Sequence, residues 1–286
     1  MVTDASAADR STSEVAVASH TNVEAASETP LPQNCFIEIC GAPIHFAEKW
    51  DTGIGGGLWS TGLAMAKYFR DHPESTRRNL EGIRRLSIEA YGRGGGLSAL
   101  ELGSGNGFLS VCLAAVAGDL ISELAITDDA DHLPLIEATL SANARVFLKS
   151  AEKTRIAIVE HMWGEFDDGG EERRTTVGGF GDLADNGAYD DGPLRDQVRR
   201  GTKKFDLIFG SDLAYRDHLH EPLISSLVRF SHKDTVALIG VTMADTRPIF
   251  FDRLRDAGFR YERLADHLMD PDFRGRTFGL IAIQKA

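Results

Sequence analysis

Leu97-Ser98-Ala99-Leu100-Glu101-Leu102-Gly103-Ser104-Gly105-Asn106-Gly107-Phe108-Leu109-Ser110 is the stretch on which the reading of this chain turns. Its first six residues form a short apolar run that reads as a buried strand. The run ends in glycine at every second position, and Phe108–Ala117 continues as an apolar helix. Glycines allow a sharp bend and let a ligand approach the backbone where a Cβ would clash. The helix start presents N–H groups that lack intrahelical partners and suit an anion or a nucleoside. Taken alone, such a turn also serves as a plain strand-to-helix connection.

Downstream, Leu124–Thr127 reads as a second strand stopping at Asp128, Leu133–Phe147 as a helix and Ile156–Glu160 as a third strand. Phe205–Gly210 is a fourth, followed by a helix at Leu219–Phe230. Thr235–Val241 is a fifth, followed by a helix at Ile249–Ala257, and Arg260–Leu264 with Phe278–Ile283 closes the sheet as a hairpin-like pair. Upstream, Phe36–Ile39 and Ile44–Phe46 about Gly41-Ala42-Pro43 read as an N-terminal β-hairpin. The glycine loop Gly53–Trp59 then feeds a helix with apolar positions from Leu63 to Phe69, and a further helix lies around Leu80–Tyr91. Strands alternating with helices predict an α/β fold with a doubly wound, mostly parallel sheet. Ligands on such sheets sit at the carboxyl ends of the strands.

The rest of the 286 residues bounds what the fold can serve. Acidic residues outnumber basic ones 43 to 31, a formal charge of −12, which argues against nucleic acid as a partner. Three cysteines make no disulfide framework and too few ligands for a metal site, so no metal is expected. No run is long and apolar enough to cross a membrane, and the acid-rich N-terminus lacks the features of a secretory or mitochondrial leader. Cytoplasm or nucleus is the expected compartment. Residues 1–33, rich in Ala, Ser, Thr and Glu, read as a disordered tail ahead of one domain at 34–286. Glu165–Lys204 breaks the rhythm and reads as a mobile insertion, since connections usually run to about 4–6 residues. A monomer is the default, because no heptad run suggests otherwise.

Two features sharpen the glycine turn. Its spacing is G-x-G-x-G, whereas the dinucleotide fingerprint is G-x-G-x-x-G. A carboxylate, Asp128, falls at the end of the next strand, where it can accept both hydroxyl hydrogen bonds of a ribose. Asp129 can share or take that role. A dinucleotide oxidoreductase therefore fits less well, and no Tyr-x-x-x-Lys is present for it.

Leu100 to Ser110 resembles motif I of class I methyltransferases, and the chain more narrowly resembles the family-16 seven-strand lysine methyltransferases. Four further stretches carry the likeness: Gly55 to Trp59, Ile126-Thr127-Asp128, Met162-Trp163-Gly164 and Asp212-Leu213-Ala214-Tyr215. It spans Phe36 to Lys285 without the insertion. The resemblance implies a Rossmann-like seven-stranded sheet and S-adenosylmethionine as cofactor. Glu101 and the backbone of Gly103, Ser104, Gly105, Asn106 and Gly107 would then hold the methionine and ribose portions. Asp128 or Asp129 would bind the ribose, Trp163 would stack on adenine, and Trp59 and Ser211 would border the cofactor. Either tryptophan could instead be a core aromatic.

Methyl transfer from a sulfonium needs positioning and desolvation more than covalent help. A lysine acceptor must first lose its proton, being neutral in only about one part in a thousand near pH 7.4. Asp212 and Tyr215, following strand four, are the candidates for orienting the amine and shaping its channel. The alternative is that Asp212 caps the next helix and Tyr215 packs. Asp245 and Arg247 are expected near the acceptor mouth. A protein lysine is the favoured acceptor, with protein histidine, a small-molecule amine or a non-catalytic binding module as the other readings.

Overall fold

The computed structural model describes residues 35–53, 56–92, 95–147, 154–167, 192–275 and 277–286. The tail read at 1–33, and residues 168–191 of the stretch read as an insertion, lie outside them. Strands β1 (Ile37–Ile39) and β2 (Ala42–Ile44) pair antiparallel. Their turn is Cys40-Gly41, both at positive φ (50° and 73°), rather than Gly41-Ala42-Pro43. A two-residue hairpin of this twist needs positive φ at both central residues. Pro43 instead lies in β2, opposite Glu38.

Helix α1 (Ser60–Asp71) and α2 (Pro73–Tyr91) precede β3 (Leu97–Glu101), and α3 (Phe108–Ala117) follows it. Next come β4 (Ile121–Asp128), α4 (Leu133–Ala142), α5 (Ala144–Phe147) and β5 (Arg155–Glu160). The helix read as continuous over Leu133–Phe147 is split at Asn143. That side chain donates through Nδ2 to the carbonyls of His45 (2.7 Å) and Thr139 (2.6 Å), and accepts from His45 N–H at 3.0 Å. A short polar side chain bonded to nearby backbone offers an alternative to the helical ladder.

Between β5 and β6 (Phe205–Ser211), Pro193–Arg199 forms a helix, α6, which the sequence reading did not place. Leu194 and Val198 are fully buried against the sheet's second apolar layer. The chain closes with α7 (Asp217–Phe230), β7 (Ser231–Thr242), α8 (Pro248–Asp256), β8 (Phe259–Arg263) and β9 (Phe278–Lys285).

The large sheet has seven strands in the order β5-β4-β3-β6-β7-β9-β8. β9 runs antiparallel between β7 and β8, and every other pairing is parallel. From β3 the chain winds outward through β4 and β5, then returns to β3's other side as β6 and continues to β7. That reversal puts a crevice at the carboxyl ends of β3 and β6. Helices α1, α2 and α3 pack one face of the sheet, and α6, α7 and α8 the other.

Candidate functional site

At the carboxyl end of β3, Gly103, Gly105 and Gly107 all take positive φ (56°, 60° and 76°). Side chains rarely adopt that region, and this is the physical content of the G-x-G-x-G spacing. Gly103 is also pressed from both sides. A Cβ there would lie 2.7 Å from Cζ2 of Trp163 and 2.9 Å from Cδ2 of Leu213. Backbone bonds close the turn: Ser104 N–H donates to the Thr127 carbonyl and Gly107 N–H to the Ser104 carbonyl, both at 3.0 Å. Asn106, buried, accepts from Phe108 N–H at 3.2 Å and donates to the Ala47 carbonyl at 3.1 Å.

Glu101 lies beneath this turn, 1% exposed. Its Oε2 accepts from Ser110 N–H at 3.1 Å and from the Ser110 hydroxyl. Burial pushes its carboxyl up to about 8, against those two hydrogen bonds. The start of α3 is therefore less open than its sequence implies, because Asn106 and Glu101 engage the N–H groups of Phe108 and Ser110. The Ser104 hydroxyl, in contrast, is buried with no hydrogen-bond partner among the described residues.

Asp128 ends β4 with both carboxylate oxygens engaged. Oδ2 accepts from Gly105 N–H at 2.7 Å. Oδ1 accepts from Asp129 N–H at 2.7 Å and meets Nδ1 of His132 at 2.6 Å. In this arrangement Asp128 is a strut for the middle glycine, while neighbouring Asp129 is exposed. Trp163, half-buried, follows β5 and lays its ring edge against Gly103. Its turn is held from α7. The Ser226 hydroxyl accepts from Gly164 N–H at 2.9 Å and sits 3.0 Å from Nε2 of His161. His161 is buried between the rings of Phe166 and Phe230, and burial pushes its pKa down to about 4. A neutral ring can accept a hydrogen bond from the Ser226 hydroxyl at Nε2 while the same oxygen accepts from Gly164 N–H.

Across the crevice, Asp212 follows β6 at φ 56°. A non-glycine residue in this region is uncommon and persists only where its surroundings fix it. Asp212 N–H donates to the Gly240 carbonyl at 2.9 Å, and Oδ1 accepts from the Thr242 hydroxyl at 3.2 Å. Oδ2 is buried and unpartnered among the described residues. Burial raises this carboxyl above its ordinary range, Thr61 and Thr242 beside it pull the other way, and the charge of Asp245 adds to the rise. The first turn of α1 abuts the same strand ends: a Cβ on Gly62 would lie 3.1 Å from the Ser211 hydroxyl.

Tyr215 is half-buried with Arg216 over its ring at 5.7 Å. Asp212 is not the cap of α7, whose N-terminal flank is Arg216. Trp59, immediately before α1, is 43% exposed and meets Trp50 edge-on at 6.2 Å. Arg247 pairs with Asp217 at 2.9 Å.

Glu101, the glycine turn, Asp128 and Trp163 are thus contiguous, and Ser211 with Asp212 stands on the adjacent strand end. Thr61, Thr242, His132, His161 and Ser226 belong to the same architecture but carry no local sequence signal. The residues present fit a nucleoside bearing a cation. They combine an exposed carboxylate beside a glycine turn, a half-buried indole on its flank, and a buried hydroxyl without a partner among the described residues.

Residues 41–174 match the family model described as lysine methyltransferase. A curated relative in two strains of Cryptococcus neoformans var. neoformans serotype D is named protein N-terminal and lysine N-methyltransferase EFM7. It is 27% identical over 173 residues, covering 60% of this chain and 42% of that protein. The chain therefore spans less than half the length of the curated relatives it matches. Similar solved structures include a ribosomal protein L11 methylase from Lactobacillus delbrueckii subsp. bulgaricus. It is 18% identical, with coverage of 73% and 79% of the two chains and a TM-score of 0.40. Another is the N-methyltransferase NodS from Bradyrhizobium japonicum WM9, 13% identical with coverage of 75% and 97% and a TM-score of 0.39.

Proposed function

We propose, on the premise that residues 41–174 are a lysine methyltransferase family segment set on the seven-stranded class I sheet, that this protein methylates a lysine side chain of another protein. S-adenosylmethionine is the methyl donor that this family and fold imply. One observation carries the reading. The G-x-G-x-G turn and a half-buried, left-handed Asp212 flank the same reversal point of the sheet, on the adjacent strands β3 and β6.

The donor supplies a methyl group already activated on a sulfonium, so the chain's own task is to bind, orient and desolvate. In this reading the turn Gly103–Gly107 receives the methionine portion, and Glu101 sets its shape from below through Ser110. Asp129, exposed beside the engaged Asp128, offers the ribose its carboxylate. Trp163 walls the adenine, with Trp59 and Ser211 on the α1 side. Asp212 offers its carboxylate to the incoming ammonium, which has both charge and hydrogen bonds to give, and Tyr215 lines the approach. The ammonium gives its proton to solvent before it accepts the methyl group, and a partly desolvated site favours the neutral amine.

The test is incubation with methyl-labelled S-adenosylmethionine and a protein extract, followed by mapping of the labelled residue by mass spectrometry. Label on lysine side chains supports the proposal. Label confined to small molecules, to histidine or to N-terminal amines refutes the acceptor assignment. The last outcome would follow the other half of the fungal relative's name.

A further inference from the structure

A second cavity lies away from the strand ends. A half-open cleft of about 510 Å³ lies between α2 and the face of the sheet that α1 and α2 cover. Its floor is apolar, built from Leu207, Phe209 and Leu238, and its mouth follows α2 through Arg78, Gly82 and Leu86. These three recur every four residues, so they form one stripe along the helix.

Each mouth residue departs from what packing alone would select. Glycine within a helix costs about 1 kcal/mol relative to alanine. Gly82 nevertheless has ordinary φ, and a Cβ there would meet nothing within 4 Å. Sterics do not require this glycine, and its smallness keeps the opening clear. Leu86 is 51% exposed, a large apolar side chain left at the rim. Arg78 is exposed and has no ion pair or hydrogen bond among the described residues, whereas Arg77 beside it is paired with Asp119. The volume falls within the ~300–1,000 Å³ usual for small-ligand pockets, which combine apolar walls with a few polar groups that fix orientation.

We propose that this cavity binds a single-chain anionic amphiphile of the fatty-acid class. The alkyl chain would lie on Leu207, Phe209 and Leu238, and the carboxylate would pair with Arg78. The site is separate from the methyl-transfer crevice and does not depend on the reading given to it.

Titration of the full chain with monomeric dodecanoate, followed calorimetrically, tests this. The expected result is saturable one-to-one binding that weakens at least fivefold in Arg78→Ala and is abolished in Gly82→Leu. The leucine improves helix propensity, so retention of the thermal midpoint in that variant identifies the loss as blocked space. Dodecanol should bind wild type and Arg78→Ala alike. Absence of saturable binding, or equal dodecanoate binding in wild type and Gly82→Leu, would overturn the proposal. So would association with anionic vesicles alone, which would assign the rim to a membrane surface.

Discussion

Asp212 and His161 show how differently single residues announce themselves. Asp212 sits in the left-handed region with one carboxylate oxygen buried and unpartnered among the described residues, a conformation maintained by Gly240 and Thr242. Its removal is expected to lower kcat about 100-fold, the scale of lost positioning. Calorimetric affinity for S-adenosylmethionine should stay within about twofold if, as proposed, the residue serves the acceptor rather than the turn. Undiminished turnover in both Asp212→Ala and Tyr215→Phe would remove them from the acceptor site.

His161 acts through stability. Its folded pKa of about 4 lies below the ~6.5 of an unfolded histidine. Its contribution is therefore complete above pH ~6.5 and is lost as pH falls toward 4, amounting to about 3 kcal/mol. Denaturant unfolding of wild type and His161→Asn should diverge above pH ~6.5 and converge near pH 4. Parallel curves would contradict a buried neutral ring. The places of Asp128 and Asp212 at the ends of strands were legible because each closes an apolar run; the bonds that hold them there were not. His161 was not, since its partner Ser226 is 65 positions away and only the folded sheet brings them together.

At the level of elements, the glycine turn was readable because three alternating positions at positive φ leave a chemical mark that other residue types rarely satisfy. The parallel strands were readable as apolar runs. The break at Asn143 and the helix α6 were not. The first depends on a side chain reaching His45, 98 residues earlier, and the second is seven residues within a charged stretch. The function of α7 is likewise tertiary. Its Ser226 fixes the turn that carries Trp163 against Gly103. Ser226→Ala is expected to raise the KM for S-adenosylmethionine about fivefold to tenfold with kcat nearly unchanged, since truncation leaves the Gly164 N–H unpaired at a cost of about 1–3 kcal/mol. Rescue by Ser226→Thr would confirm that the hydroxyl is responsible. Equal falls in kcat and kcat/KM would place the residue in the chemistry instead.

For the whole molecule, the end of the sheet opposite the crevice is fastened by one buried carboxylate. Asp206 accepts from Ser98 N–H at 2.8 Å, from the Ser98 hydroxyl at 2.7 Å and from the Ser87 hydroxyl at 2.6 Å, and meets Nε2 of His232 at 3.1 Å. Despite burial, hydrogen bonds from His232, Ser87 and Ser98 hold its carboxyl below the usual range. Its folded pKa is thus beneath the unfolded value of ~3.9, so its contribution is full above that pH and lost only in stronger acid. Asp206→Ala should cost about 3 kcal/mol at neutral pH by leaving those donors stranded, read as a fall in the denaturation midpoint. The formal charge of −12 acts over longer distances. With a basic protein substrate, KM should rise several-fold as salt shortens the screening length from about 10 Å at 0.1 M toward 3 Å at 1 M.

Calorimetric titration with S-adenosylmethionine tests the central claim, that the bend after Leu102 cradles the methyl donor. The account predicts one-to-one binding by wild type and no heat with NAD. It also predicts at least a tenfold loss in Gly103→Ala, whose methyl group would strike Trp163 and Leu213. Preference for NAD, or an unchanged affinity in Gly103→Ala, would contradict it.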